Sequence, residues 1–221
     1  MSAAASVDGE QMSEAPPAGP GSAEPGAGSV EPRAGTSHRR AVAILFGIAL
    51  TALVADLVTK HLALSALEDR EPVRLLGGAV YLSLIRNSGA AWGLGSDYTW
   101  MFTPIILGVV GWILWMTLRL RSLPWAISLG LVLGGALGNF ADRIFRAPGW
   151  FVGHVVDMIS VFAPYGRVFP VFNLADSALV CGVLLALLLE LTGRQRDGSR
   201  IGKDETTDEA ARVDAGQRGR A

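Results

Sequence analysis

Two carboxylates stand in surroundings that give a carboxyl group unusual chemistry. Asp157 lies in "GHVVDMISVF" among Val155, Val156, Met158 and Ile159, where desolvation raises the pKa of a carboxyl group. Asp176 lies in the first turns of "VFNLADSALVCGVLLALLLEL", Val171 to Leu191, three residues after Asn173 and so on the same face of a helix. If the segment that carries Asp157 folds back over that helix, the two carboxyl groups meet. Two carboxyl groups brought close do not both ionise easily and share a proton. One is then a general base that activates water and the other an acid that polarises a carbonyl. That is aspartic peptidase chemistry, which requires no metal and no cofactor. Spacing alone leaves two unrelated charges as the alternative.

Other polar groups fall toward the same side. Asp56 and Lys60 are four residues apart and share a helix face; they are either a local ion pair or members of a site. In "LGLVLGGALGNFADRIF", Gly130, Gly134 and Gly138 form the small-xxx-small pattern that lets helix backbones approach closely. Asn139, Asp142 and Arg143 follow at i, i+3 and i+4, a single polar face, with Arg143 expected to pair with Asp142 or a neighbouring carboxylate as structural support. A rival enzymatic scheme makes Ser88 or Ser177 the nucleophile and Lys60 the base; Asp56 at i−4 argues against it by keeping Lys60 charged. The lone Cys181 excludes a disulfide framework and any CxxC metal site, and its place in an apolar run is that of a buried small residue.

The elements that must position these groups are membrane spans. The chain has 221 residues, half of them hydrophobic, with a net charge of −1, which implies no nucleic-acid partner. Its mean hydropathy of +0.37 conceals two polar ends. Residues 1–40 are rich in Ala, Gly, Ser, Pro and Glu without apolar periodicity, which predicts a disordered extension, with no pattern of a cleavable secretory signal. From Arg194 the chain alternates Arg, Asp, Glu and Gly, which predicts a solvated tail over 194–221. Between them, 41–193, four stretches are long and apolar enough to cross a bilayer, starting at about Ala41, Trp100, Leu123 and Val171. Arg39 and Arg40 precede the first, Arg119 and Arg121 join the second to the third, and Arg194 and Arg196 follow the fourth, so the positive-inside rule puts both termini in the cytoplasm. Trp100, Trp125 and Trp150 fit interfacial aromatics. The first outer loop, "VRLLGGAVYLSLIRNSGAAWGL", combines Val, Tyr, Leu and Ile with Gly punctuation and predicts a short bent β-hairpin or sheet against the membrane surface. No internal repeat is evident, which counts against transporters built from duplicated halves.

Five blocks in this order, "DLVTK", "RNSGAAWGL", "GGALGNFADRI", "VVDMI" and "FNLADSAL", resemble the bacterial lipoprotein signal peptidases, also called signal peptidase II, aspartic peptidase family A8. The resemblance spans about Asp56 to Ser177 and leaves both tails outside. It implies a mainly α membrane protein of four transmembrane helices with a small extracytoplasmic β-cradle and a second extracytoplasmic loop. It makes Asp157 and Asp176 the catalytic pair, and Asp56, Lys60, Asn87, Asn139, Arg143 and Asn173 the residues that line or brace the site and hold the substrate. Asp142 stands as structural. The "RNSGAAW" segment, Arg86 to Trp92, corresponds to the cradle flanking the substrate groove. Met158 replaces the aromatic common at that place, a conservative apolar change. The implied substrate is a diacylglyceryl-modified prolipoprotein cut just before its lipidated cysteine, in the bacterial cytoplasmic membrane near its outer surface. The implied enzyme is a monomer in contact with membrane lipid, with neither metal nor cofactor. The non-enzymatic rival is a small proton-coupled transporter with Asp56 and Asp176 as relay carboxylates; a purely structural adaptor leaves the Asn, Asp and Arg cluster unexplained.

Overall fold

The computed structural model describes residues 36–89 and 98–200. Residues 1–35, most of the expected N-terminal extension, Ala90 to Trp92 of the expected cradle, and 201–221 of the expected tail lie outside the described residues. Four helices carry the apolar stretches: α1 (His38–Leu67), α2 (Thr99–Thr117), α3 (Leu123–Phe145) and α4 (Leu174–Leu191). All four are long and apolar enough to cross a membrane. The expected starting points hold for α2 and α3. Helix α1 begins at His38, so its first turn takes in residues assigned above to the extension. Helix α4 begins three residues later than expected, because Phe172 forms a β-bridge with Ile159 and Asn173 caps the helix.

Helix α3 is the central element, buried along most of its length, and packs between α1 and α4. Its glycines permit this. A Cβ on Gly134 would stand 2.6 Å from the carbonyl oxygen of Ala49 and 2.7 Å from Cβ of Ala52 on α1. Gly135, one residue on, faces Ala175 and Leu179 of α4 in the same way. Leu45, Ile113, Met116, Trp125, Leu129 and Leu133 fill the bundle core. Outward faces are apolar as well, with Leu50, Val54 and Leu62 on α1 and Val183, Leu187 and Leu191 on α4 exposed. Such surfaces match hydrocarbon, not water.

At one end of the bundle sits a three-stranded antiparallel sheet in the order β1 (Val73–Leu75), β2 (Val80–Asn87), β3 (Val155–Val161). The first two strands form the hairpin expected from sequence, turned at Leu76, Gly77 and Gly78 with positive φ. The third comes from the second loop and pairs with β2 in a register that sets Asp157 opposite Ile85 and Val155 opposite Asn87. Val156 and Met158, on the other face of β3, pack on Ala63 and Leu67 at the end of α1.

The opposite end differs from expectation. The residues after α4 are not a free tail from Arg194: Arg194 and Arg200 form a β-bridge, and the carbonyl of Arg196 accepts the backbone N–H groups of Arg121 and Ser122 at 2.8 and 3.0 Å. Trp125, expected at the interface, is buried; its indole N–H donates to the Arg194 carbonyl at 2.7 Å, with the Arg196 guanidinium over its ring. The short α2–α3 link leaves backbone donors that need partners, and this fold-back supplies them. Trp100 and Trp150 are exposed, as interfacial aromatics are.

Candidate active site

The strand β3 and the helix α4 are joined by a return of chain that explains how distant carboxylates meet. Phe172 bridges Ile159: its N–H donates to the Ile159 carbonyl at 2.9 Å and its carbonyl accepts from Ile159 at 2.8 Å. The next residue, Asn173, is the N-cap of α4 in an extended conformation. It was expected on the helix face beside Asp176; it stands instead at the cap. Its Oδ1 accepts from the backbone N–H of Asp176 at 2.9 Å, and its own backbone N–H donates to Asp176 Oδ2 at 3.1 Å. This reciprocal capping box leaves Asn173 Nδ2 to point elsewhere. It donates to Asp157 Oδ1 at 2.7 Å and to Asn139 Oδ1 at 3.1 Å.

Asp157 is buried. Its second oxygen accepts from Asn87 Nδ2 at 3.0 Å; Asn87 lies two residues beyond Ile85, and so on the face of the sheet that Asp157 occupies. Burial, and then the negative charge of Asp176, push the Asp157 carboxyl up to about 7, against the Asn87 and Asn173 hydrogen bonds that pull it down. Asp176 Oδ1 accepts from Asn139 Nδ2 at 2.8 Å.

Behind Asn139 lies Lys60, fully buried. Its ammonium donates to Asn139 Oδ1 at 3.0 Å and forms ion pairs with Asp56 Oδ2 at 2.7 Å and Asp142 Oδ2 at 3.0 Å. The Asp56–Lys60 pair expected from spacing is present. Asp56 Oδ1 also accepts the backbone N–H of Ala175 at 2.9 Å, tying α1 to the start of α4. Lys60 lies between two carboxylates and Asn139, and the Ser177 hydroxyl donates to the Asn173 carbonyl at 3.0 Å; neither Ser88 nor Ser177 is paired with Lys60 as the serine–lysine scheme requires.

Arg143 departs from expectation, because it pairs with no carboxylate among the described residues. Asp142 takes Arg146, Lys60 and the backbone N–H of Val156 instead. The Arg143 guanidinium donates to the carbonyls of Ser88 (3.0 Å), Gly89 (2.8 Å) and Gly153 (3.1 Å) and lies over the Phe102 ring. It thus fastens the end of β2 to the approach of β3, the two strands that hold Asn87 and Asp157. Sequence reasoning missed Arg146, although its i+4 spacing from Asp142 was a signal, and Phe102, for which periodicity carries none.

These polar groups form the head of a cavity of about 680 Å³ whose walls are apolar. Asn87, Asn139, Arg143, Asp157 and Asp176 line its head, and Ile105, Val109 and Val180 its flanks. It lies between α2 and α4, against α3. Cys181 also lines it and is exposed, not buried as expected; α4 turns that face toward the cavity. Among the described residues no group of three or more His, Cys, Asp and Glu is arranged to hold a metal ion. The arrangement as a whole offers two carboxyl groups, amide donors to orient them, and an apolar trough leading to them.

Comparison with known proteins agrees in kind. A family model described as signal peptidase (SPase) II matches residues 48–192. The chain is 50% identical over 164 residues to the lipoprotein signal peptidase of Streptomyces coelicolor, covering 74% of this chain and 78% of that one. It is 47% identical over 169 residues to that of Rhodococcus jostii, 76% of this chain and 82% of the relative, and 45% identical over 171 residues to that of Mycobacterium avium, covering 76% and 91%. Two solved structures titled as a bacterial membrane enzyme resemble it. One has a TM-score of 0.59 at 26% identity, covering 76% of this chain and 98% of that one; the other has 0.58 at 28%, covering 71% and 96%.

Proposed function

Because the chain belongs to the signal peptidase II family and is an aspartic-type peptidase that removes signal peptides from prolipoproteins, we propose that Asp157 and Asp176 carry its hydrolytic step. The observation that carries this reading is the convergence of both carboxyl groups on Asn173 at the head of an apolar cavity. One carboxylate takes a proton from water as its oxygen attacks the scissile carbonyl, and the other gives a proton to the carbonyl oxygen. Collapse of the tetrahedral intermediate then expels the amine, protonated by the first carboxyl group, while the second recovers its proton from the intermediate's hydroxyl. Asn87, Asn139 and Asn173 orient the pair, Asp56 and Lys60 brace it through Asn139, and Arg143 holds the strand ends that frame it.

The chain is a multi-pass bacterial membrane protein. In the reading proposed here the arginines at the α2–α3 link, before α1 and after α4 lie in the cytoplasm, with both termini, and the sheet and dyad lie at the extracytoplasmic surface. A signal helix then lies in the trough between α2 and α4, the diacylglyceryl chains of its cysteine remain in lipid, and the bond before that cysteine reaches the dyad where water is present. The peptidase acts as a monomer in contact with membrane lipid, and its folded part includes the fold-back after α4. The proton-coupled transporter finds no support, since Asp56, one of its two relay groups, is committed to Lys60 and Ala175.

The test is cleavage of a diacylglyceryl-modified prolipoprotein by the full chain in lipid vesicles. Asp157→Asn and Asp176→Asn should each lower kcat by about a thousandfold or more, with Ser177→Ala near wild type. Full activity in either Asp→Asn variant overturns the reading.

A further inference from the structure

The two carboxyl groups share a donor but not an electrostatic setting. Asp157 sits on a strand among Val155, Val156 and Met158 and receives hydrogen bonds from two neutral amides, Asn87 and Asn173. Asp176 is the third residue of α4, where the backbone N–H groups point outward and favour an anion. Its other oxygen is reached by Asn139 Nδ2, and the orientation of that carboxamide is dictated from behind. An ammonium only donates, so Lys60 requires Asn139 Oδ1, which also accepts from Asn173 Nδ2 at 3.1 Å, and the two donors together turn Nδ2 toward Asp176.

We propose that Lys60 is a positioning residue which, through the Asn139 carboxamide, makes Asp176 the ionised member of the pair and leaves the shared proton on Asp157. This deepens the proposed dyad and rests on it. Asp176 is then the base that takes the proton of water, and Asp157 the acid that protonates the carbonyl oxygen. Asp157 regains its proton from the intermediate's hydroxyl, and Asp176 passes its own to the departing amine, which returns both to their starting states.

The remaining charges act on both carboxyl groups. On α1, Asp56 pairs with Lys60 and accepts the Ala175 N–H; on α3, Asp142 is held by Arg146 and Lys60, and Arg143 donates to backbone carbonyls while its charge acts on both Asp157 and Asp176. On β2, Arg86 is exposed and paired with Glu68. The donors that reach Asp157 are carboxamides and not cations; the Lys60 charge draws its value down, but burial and the Asp176 charge outweigh it, and the raised value agrees with a proton held there.

A pH profile of cleavage decides the matter, because the acidic limb reports loss of the carboxylate base and the alkaline limb loss of the acid. The first variant is Lys60→Met/Asp56→Asn, a pair removed together so that no lone charge is buried. The amide introduced at position 56 keeps an oxygen for the Ala175 N–H, and Asp142 keeps Arg146. The acidic limb of kcat should move upward by about one pH unit, with a smaller movement of the alkaline limb. Asn139→Leu, which leaves the Lys60 ion pairs intact, should move it the same way, and it decides the outcome if the double variant does not fold. An unmoved acidic limb, equal movement of both limbs, or movement of the alkaline limb alone overturns the relay while leaving the dyad standing. Cleavage that survives Asp157→Asn or Asp176→Asn overturns the dyad itself.

Discussion

Asn173 donates to Asp157 at 2.7 Å while it caps the helix whose third residue is Asp176, so a single side chain sets both the start of a membrane helix and the bearing of a buried carboxyl group on a strand. Local and tertiary roles separate by substitution. Asn173→Asp keeps an acceptor for the cap but puts a negative charge against Asp157; Asn173→Ala loses both. The Ala variant is expected to lower stability by about 1 kcal/mol, and both variants to lower kcat by about a hundredfold, measured by thermal unfolding and by prolipoprotein cleavage. An Asp variant with wild-type kcat would show that the donor is dispensable.

The raised Asp157 carboxyl makes stability depend on pH in a definite direction. Its value moves from 3.8 to about 7 on folding, so the folded state binds more protons between those values and stability falls as pH rises through that window. An asparagine at this position carries no proton to lose. Asp157→Asn is therefore expected to unfold at a higher temperature than wild type near pH 8, with the difference shrinking toward pH 4, as read by thermal scans at each pH. A constant difference at all pH values would refute the linkage.

Close approach of α1 and α3 depends on Gly134. A Cβ there would meet the Ala49 carbonyl at 2.6 Å, a contact that backbone must move to relieve. Gly134→Val is expected to cost about 3 kcal/mol or to prevent folding, whereas Gly111→Ala on α2, where nothing stands within 4 Å, should be neutral or slightly stabilising. Folded yield in detergent distinguishes them; equal yields would contradict the packing.

Cys181 is exposed and lines the cavity. A membrane-permeant maleimide should modify it and block cleavage, and Cys181→Ala should be active and resistant. Full activity after stoichiometric labelling would mean that the trough beside Cys181 carries no substrate.

The fold-back after α4 acts on stability and not on chemistry. Trp125→Phe removes the indole donor to Arg194 and is expected to lower stability by about 1 kcal/mol with kcat unchanged. A selective loss of kcat would instead connect that end of the bundle to the site.

Much of this protein is legible in the sequence because membranes and helices impose local rules. Span length, the apolar runs, the arginines at their ends and the glycines spaced by one turn act within a single helix or between two of them, so four spans, the hairpin and the Asp56–Lys60 pair follow from spacing. Long-range pairing decided the rest. That β3 crosses to β2, that Phe172 returns to Ile159, and that Asn173 becomes a cap all depend on chain segments far apart in sequence, whose backbone groups find partners only once the fold is assembled. For the same reason spacing assigned Arg143 to Asp142, when strand ends brought carbonyls to Arg143 and left Asp142 to Lys60 and Arg146. Which polar types gather near one end of the bundle is written in the sequence; which donor meets which acceptor is decided by tertiary structure, because burial and hydrogen-bond geometry exist only there.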